Sequence, residues 1–575
     1  MELIVDCRKD CKKQNIFEMF SGKIWKIFDN PAGLLLAFAL TATVLYLPLI
    51  FWDAIPCRDV ANRYVPMAEA FARGDFMYAF HPRCQMLHTT IAGIIAWLGC
   101  DAFLACKLTS FIFYLLTALP LFFLCRRVFG YRVSKWVIWG FAFASPLISS
   151  LAVTGLRDAA KMFVLMLMAH AVTAIFQQRH KLWYYIYAGI AAGLAICVRN
   201  DLLAVTLVFL FICGLLDRSE HCWIWRSLLG AVTALTVGTL ELFANYSITG
   251  YVIPGARYYY ILTKLLKIQP DWIPVFTKVI LPMFVLYIAV VYATVKIWSF
   301  RAGKWFFRIA LIAALIALNV RIVVLAIAIP EQAGDFFNSV MGGVSWVFFP
   351  LAVIGAGLRI LKRQWNREET LLAILFVIFE LLVIFQIILH DNYLYTSERY
   401  LLTAVPLLLP WSWCALEQLW KYVAGFLHLP CQEKFFAGLV GVFIMLGIYC
   451  AYRGEINEHT RPREIHNTQV VKAIAEVIKT EKRSFHSPTI EVMYYKSNVR
   501  PRVYFDCPER LQVAVFAGGG SRAVRASEMD LLVTGANKTL PVLKRQFKFI
   551  KSARKIGSEI VFRKEKLQIW KVIRK

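Results

Sequence analysis

Apolar runs of about 20 residues, the length that crosses a bilayer core as a helix, recur along this chain and constrain its fold more than any other feature. They fall near 32–52, 102–125, 136–154, 159–176, 182–198, 201–216, 227–246, 274–295, 305–329, 341–361, 370–389, 400–420 and 434–452. The chain reads as a polytopic α-helical membrane protein with about 13 transmembrane helices. Its 575 residues would make roughly four soluble domains, but 18% charged residues against 59% hydrophobic ones cannot clothe that much hydrated surface. The formal charge of +27 would suggest nucleic acid in a soluble chain. Here the cations follow the loops between spans, so they report membrane orientation and no nucleic-acid partner is expected.

With residues 1–31 as a basic cytoplasmic N-terminus, the inward loops collect 24 Lys and Arg, among them Arg126, Arg127, Lys296, Arg301, Arg359 and Lys362. The outward loops carry about half as many, which satisfies the positive-inside rule along the chain. No short apolar core with a small-residue cleavage site precedes the first run, so that run is read as a span. The fourteen-residue apolar stretch Met86–Gly99 follows His81-Pro82 and is too short to cross; it is expected to enter the bilayer and return. An odd number of spans, 32–452, then places residues 453–575 outside. That tail reads as a small α/β domain: an amphipathic helix over 464–482, strands at 489–494, 502–506 and 529–534, and a closing hairpin at 559–563 and 567–572. Its 26 Lys and Arg against 12 Asp and Glu suit anionic lipid head groups.

The fourteen cysteines are scattered, and no pair has metal-ligand spacing with histidines. Cys57 and Cys84 both fall in the first external loop, 53–101, and spacing alone does not decide whether they pair. Gly518-Gly519-Gly520 precedes Ser521-Arg522, which reads as a turn and not a phosphate loop. Glu241, Arg321 and Glu380 lie inside spans, where an unpaired charge costs at least ~2.5 kcal/mol, so each is expected to face protein or water. An Arg321–Glu380 pair is the simplest account of two of them. Tyr258, Tyr259, Tyr260, Lys264 and Lys267 read as an interfacial aromatic-basic segment.

On this topology the external face gathers Asp53, Arg58, Asp59, Arg63, Tyr64 and His81 in the first loop, and Arg157, Asp158 and Lys161 in the second. Arg199, Asn200 and Asp201 occupy the third, and His390, Asp391, Glu398, Arg399 and Tyr400 the last. Carboxylates beside arginines at a membrane surface suit a reaction on a lipid phosphate. The cations neutralise a leaving phosphate, and a carboxylate orients or deprotonates an attacking hydroxyl.

Five segments, in order, resemble a known family: Arg58-Asp59 to Arg63-Tyr64 through His81-Pro82; Leu98-Gly99 to Arg126-Arg127-Val128-Phe129-Gly130; Thr154-Gly155-Leu156-Arg157-Asp158; Val198-Arg199-Asn200-Asp201; and Glu398-Arg399-Tyr400-Leu401 before Ala404-Val405-Pro406. They are similar to membrane-embedded, lipid-dependent glycosyltransferases of the GT-C fold, a group that includes the lipid A aminoarabinose transferases and the protein O-mannosyltransferases.

The resemblance implies transfer of a sugar from a polyprenyl-phosphate donor to a lipid, glycan or protein acceptor on the non-cytoplasmic face, usually with inversion. It implies Asp59 as the catalytic carboxylate and Asp158 as the second acidic position, which in some relatives binds a divalent metal, the one cofactor left open. Arg63, Arg157, Lys161, Arg199 and Arg399 would hold phosphate. Arg58, Tyr64, His81, Asp201 and Tyr400 would line the substrate site. The pattern departs from the family at the first loop, where three residues separate Asp59 from Arg63 and Val60 follows the aspartate, so Asp53 stands as an alternative base. Two other readings remain open. A lipid or solute transporter is disfavoured by the lack of internal repeats. A catalytically inactive scaffold would account for the irregular spacing. A bacterial cytoplasmic membrane is expected, with the endoplasmic reticulum as the alternative.

Overall fold

The computed structural model describes residues 30–51, 60–80, 85–143, 151–178, 181–199, 223–249, 348–391 and 398–426, five strands between 489 and 574, and a few isolated positions. The spans expected at 274–295 and 305–329, most of those at 201–216 and 434–452, the helix at 464–482 and the strand at 502–506 lie outside the described residues, as does the Tyr258–Lys267 segment.

Among the described residues, four helical stretches are long and apolar enough to cross a bilayer: Pro31–Phe51, Ala102–Phe129, Asp158–Gln177 and Arg399–Val423. The first, α1 (Pro31–Phe51), buries Leu34, Phe38, Ala42 and Tyr46 at helical spacing while Leu36, Leu40 and Val44 stay exposed on the opposite side. A helix apolar all round with one face still uncovered is suited to lipid, not to water.

A π-helical turn, Val60–Tyr64, leads into α2 (Val65–Ala72), the short α3 (Phe76–Ala79) and α4 (Met86–Trp97). At 1.5 Å per residue the twelve residues of α4 extend about 18 Å, well short of a ~30 Å hydrocarbon core. Helix α5 (Ala102–Phe129) starts at Asp101, whose carboxylate accepts from the Phe103 and Leu104 amides at 2.9 and 3.0 Å. That cap satisfies two of the orphan donors of the first turn. Gly130, at φ 87°, ends α5 and turns the chain into α6 (Tyr131–Phe143).

Helices α7 (Asp158–Gln177) and α8 (Leu182–Val198) form an antiparallel pair, so the start of α7 and the end of α8 share one end of the bundle. Helix α8 packs along α9 (Trp223–Thr249) through small residues. A Cβ on Gly189 would collide with the Gly230 carbonyl, and one on Gly193 with Val237, so the backbones approach as closely as small residues permit.

Helices α10 (Phe348–Leu361) and α11 (Arg367–Asp391) precede a broken helical stretch: α12 (Glu398–Leu401), a 3₁₀ segment Leu402–Leu408 and α13 (Leu409–Phe426). Pro406 and Pro410 lack amide donors, which favours the tighter winding there.

The centre of the bundle is aromatic. Tyr46 Oη donates to the Ala142 carbonyl at 2.6 Å and Tyr114 Oη to that of Phe141 at 3.1 Å, tying α1 and α5 to the end of α6. Stacking of Tyr114 on Phe141 at 4.8 Å fills the space between them.

Towards the C-terminus, β1 (Thr489–Tyr494), β2 (Gln512–Ala517), β3 (Leu531–Gly535), β4 (Ile550–Phe562) and β5 (Glu565–Arg574) form one sheet in the order β2-β1-β3-β5-β4. β1 runs parallel to β2 and β3, whereas β5 is antiparallel to both β3 and β4. The hairpin spans more of the chain than the alternation over 559–572 suggested, with register irregularities between Ile550 and Ser552 and between Ile556 and Ile560. Strand β2, just before the glycine triplet, was not foreseen.

Candidate functional site

The turn 154–157 is the point from which the site is built. Gly155 sits at φ +75°, and a Cβ there would lie 3.4 Å from both Cys106 and Val60, so the turn presses against α5 and the π-helical turn. Ser110 Oγ, on α5, fixes it by donating to the Leu156 carbonyl at 2.7 Å. Asp158, the first residue of α7, is 1% exposed. A carboxylate there is favoured by the exposed amide dipoles of the helix start.

Three other segments converge on it. Arg199, the residue that ends α8, donates through Nη1 to Asp158 Oδ1 at 2.8 Å. Arg399 Nε, from α12, lies 3.9 Å from the other carboxylate oxygen. Both guanidiniums approach the Tyr400 ring, their Cζ atoms 4.8 and 5.0 Å from its centroid, and its hydroxyl receives Arg399 Nη2 at 3.1 Å. Lys161, one turn into α7, is fully buried and donates to the Tyr400 carbonyl at 3.1 Å. Lys161 is also the charged neighbour of Glu380, buried on α11. Among the described residues, Lys161, Arg199 and Arg399 thus stand near the carboxylates of Asp158 and Glu380, with Arg157 next to Asp158 in the chain.

Beside this cluster lies a second polar corner. Arg157 Nη1 donates to Gln85 Oε1, at the start of α4, and its Cζ lies 5.7 Å from the Tyr64 ring centroid. The Tyr64 ring packs 5.2 Å from that of His88. Burial, with the Arg157 charge adding to it, pushes the His88 imidazole down to about 3, so the ring is neutral at physiological pH. Glu241 reaches across from α9 to accept from the Met86 amide at 2.6 Å, which caps the first turn of α4. The start of α4 therefore meets Arg157, while the start of α5 meets Gly155 and Leu156.

Of the residues singled out in the sequence, the structure gathers Arg157, Asp158, Lys161, Arg199, Arg399 and Tyr400 into one cluster and puts Tyr64 beside it. Arg63 is exposed at the π-helical turn. Asp53, Cys57, Arg58, Asp59, His81, Cys84, Asn200, Asp201 and Arg321 lie outside the described residues, as do the side chains of His390, Asp391 and Glu398. Among the described residues no three His, Cys, Asp or Glu side chains gather as metal ligands. Sequence reasoning missed Gln85 and His88. The available signal was their i, i+3 spacing on the first turn of an otherwise apolar stretch, which puts both on one face.

No protein-family model and no curated protein sequence matches this chain. Solved structures do. ArnT from Cupriavidus metallidurans bound to undecaprenyl phosphate is similar with a TM-score of 0.53 over 94% of this chain and 98% of that one, at 12% identity. The apo oligosaccharyltransferase of Archaeoglobus fulgidus is similar with a TM-score of 0.51 over 88% of this chain and 69% of that one, at 13% identity. Its complex with zinc and sulfate gives the same TM-score over 91% and 72%. At such identities the likeness speaks to fold: this chain is an integral membrane protein with the GT-C fold.

Proposed function

We propose that this protein is an integral-membrane glycosyltransferase that moves a sugar from a polyprenyl-phosphate donor to a lipid, glycan or protein acceptor on the non-cytoplasmic side of a bacterial cytoplasmic membrane. The observation that carries this reading is the convergence of Lys161, Arg199 and Arg399 on Asp158, with Arg157 beside it. Cations brought together in a buried place repel one another, and an anionic ligand among them lowers that cost. A phosphate monoester or diester is such an anion, and guanidinium forks match its oxygens. The ArnT structure that shares this fold holds undecaprenyl phosphate, which supports a lipid of that kind as the ligand.

In the reaction the bond between the sugar anomeric carbon and the phosphate oxygen breaks, and its electron pair stays on the polyprenyl phosphate. The acceptor oxygen forms the new bond to that carbon and gives up its proton. Arg199 and Arg399, with Lys161 behind them, stabilise the charge that develops on the leaving phosphate. Asp158 holds both guanidiniums in place, and the Tyr400 ring packs against them. Asp59, or Asp53 in its stead, takes the acceptor proton. The sheet between residues 489 and 574 belongs, on this reading, to an extracytoplasmic α/β domain covering 453–575.

The test uses purified protein in proteoliposomes with radiolabelled prenyl-phosphate sugars and extracted envelope acceptors. A glycosylated product that appears with wild type and is lost in Arg399→Met, with Asp59→Asn lost as well, supports the assignment. Flux of the labelled lipid across the bilayer without any new glycosidic product would make the protein a transporter instead.

A further inference from the structure

The corner formed by Gln85, His88 and Arg157 holds groups that the transfer chemistry above leaves unused. His88 is 1% exposed, yet neither of its ring nitrogens has a hydrogen-bond partner. Arg157 Nε is buried and unpartnered in the same way, although Nη1 of the same guanidinium donates to Gln85. The Tyr64 ring lies against this corner, 5.2 Å from the His88 ring and 5.7 Å from Arg157 Cζ. A buried polar atom without a partner costs more than an ordinary hydrogen bond contributes, and native proteins keep few of them. Three in one corner point to something that completes it.

The chemistry of the corner narrows what that is. A neutral imidazole presents one N–H donor and one bare nitrogen acceptor, and Arg157 Nε presents a donor. A phosphate oxygen only accepts, so it would leave the imidazole acceptor bare. An ammonium would be repelled by Arg157. A hydroxyl both donates and accepts, and a pair of neighbouring hydroxyls, as on a sugar ring, satisfies all three nitrogens. Arg157 precedes Asp158 directly in the chain, and a sugar on a lipid phosphate is bonded to that phosphate. A sugar whose phosphate lies among Arg199, Arg399 and Lys161 is therefore carried into reach of the next residue along.

We propose that His88, together with Arg157, reads hydroxyls of the sugar carried by the lipid-phosphate donor and is a specificity-determining residue of the site. This rests on the transferase reading above, and the experiment separates the two. Protein in lipid nanodiscs is titrated with bare undecaprenyl phosphate and with undecaprenyl phosphate bearing glucose, mannose or galactose. Wild type is expected to bind at least one sugar-bearing lipid about tenfold more tightly than the bare lipid. His88→Phe should erase that preference and leave affinity for the bare lipid unchanged. His88→Gln, which keeps a donor and an acceptor, should retain part of the preference or reorder it among the three sugars.

A preference that survives intact in His88→Phe overturns the proposal, as does a wild type that binds bare and sugar-bearing lipids alike. Should His88→Phe lose bare-lipid binding through misfolding, His88→Gln decides. A changed order among the sugars then supports the assignment, and an unchanged one overturns it. Wild type that fails to bind even bare undecaprenyl phosphate defeats the transferase reading itself.

Discussion

Two buried polar clusters at different places in the bundle are built on opposite plans. At the α10–α11 turn, Glu369 is fully buried and its carboxylate receives Arg359 Nε and Nη2, each at 2.7 Å, and Trp411 Nε1 at 3.0 Å. The same guanidinium also donates to the Gln364 carbonyl at 2.9 Å and lies over the Phe129 ring, while Trp365 stacks on Trp411. One cation meets one anion, and the surrounding donors are spent on joining α10, α11, α13 and the end of α5. Around Asp158 the plan differs: among the described residues several cations from separate helices converge on one carboxylate, and buried nitrogens of His88 and Arg157 have no hydrogen-bond partner. The first cluster is closed upon itself and holds helices together. The second, on the proposed reading, is completed by a ligand. A buried network whose donors are all matched reads as scaffold and one with unmatched buried donors as site, which is a sharper criterion than the mere presence of charges in a membrane protein.

The largest expected effect breaks the closed cluster. Glu369→Ala leaves the part-buried Arg359 without its anion and Trp411 Nε1 without its acceptor, and should cost about 2–3 kcal/mol of stability, seen as a marked fall in Tm in detergent. The protein that remains folded should bind undecaprenyl phosphate as wild type does. A selective loss of lipid affinity without a loss of Tm would erase the distinction between the two clusters.

The open cluster should respond the other way. Arg399→Met removes a cation that stands 3.9 Å from Asp158, whose carboxylate keeps Arg199 at 2.8 Å. It should weaken undecaprenyl phosphate binding by about ten- to a hundredfold, the worth of a charge-assisted hydrogen bond, with little change in Tm. Arg399→Lys should recover only part of that affinity, because an ammonium lacks the planar fork that spans Tyr400 and a phosphate. Equilibrium binding in nanodiscs checks both.

A smaller effect falls on the helix start beside the open cluster. Glu241→Leu removes the acceptor from the Met86 amide and should destabilise the start of α4 by about 0.5–2 kcal/mol, the usual cost of a lost helix cap. Glu241→Gln keeps a carbonyl acceptor and should cost less. Thermal unfolding of the two variants side by side tests whether the glutamate acts as a cap or through its charge.

Much of this was legible from residues alone, for identifiable reasons. The spans at 32–52, 102–125, 159–176 and 182–198 match described helices within a few residues, because apolar length is a one-dimensional signal that tertiary packing does not override in lipid. Arg157, Asp158, Lys161, Arg199, Arg399 and Tyr400 were legible as a set because the topology placed their loops on one face. Their division of labour was not. That Lys161 would turn to a backbone carbonyl, that two guanidiniums would pack on the Tyr400 ring, and that Glu380 would neighbour Lys161 all depend on where α7, α8, α11 and α12 meet. Glu241 is the clearest case: the sequence marked it as a charge inside a span, but its role as the cap of a different helix is a contact between residues 155 positions apart. His88 escaped notice because a lone histidine on an apolar stretch is usually an ordinary core residue, and only its two unpartnered nitrogens distinguish it.

The central claim is that the cations gathered beside Asp158 receive the phosphate of a prenyl-linked donor. A cryo-electron microscopy map of the protein in nanodiscs with undecaprenyl phosphate tests it most directly. The account predicts phosphate density within about 3–4 Å of the Arg199 and Arg399 guanidiniums. Phosphate density held elsewhere, with the pairing of Arg199 to Asp158 and the empty-handed nitrogens of Arg157 and His88 unchanged, would contradict it.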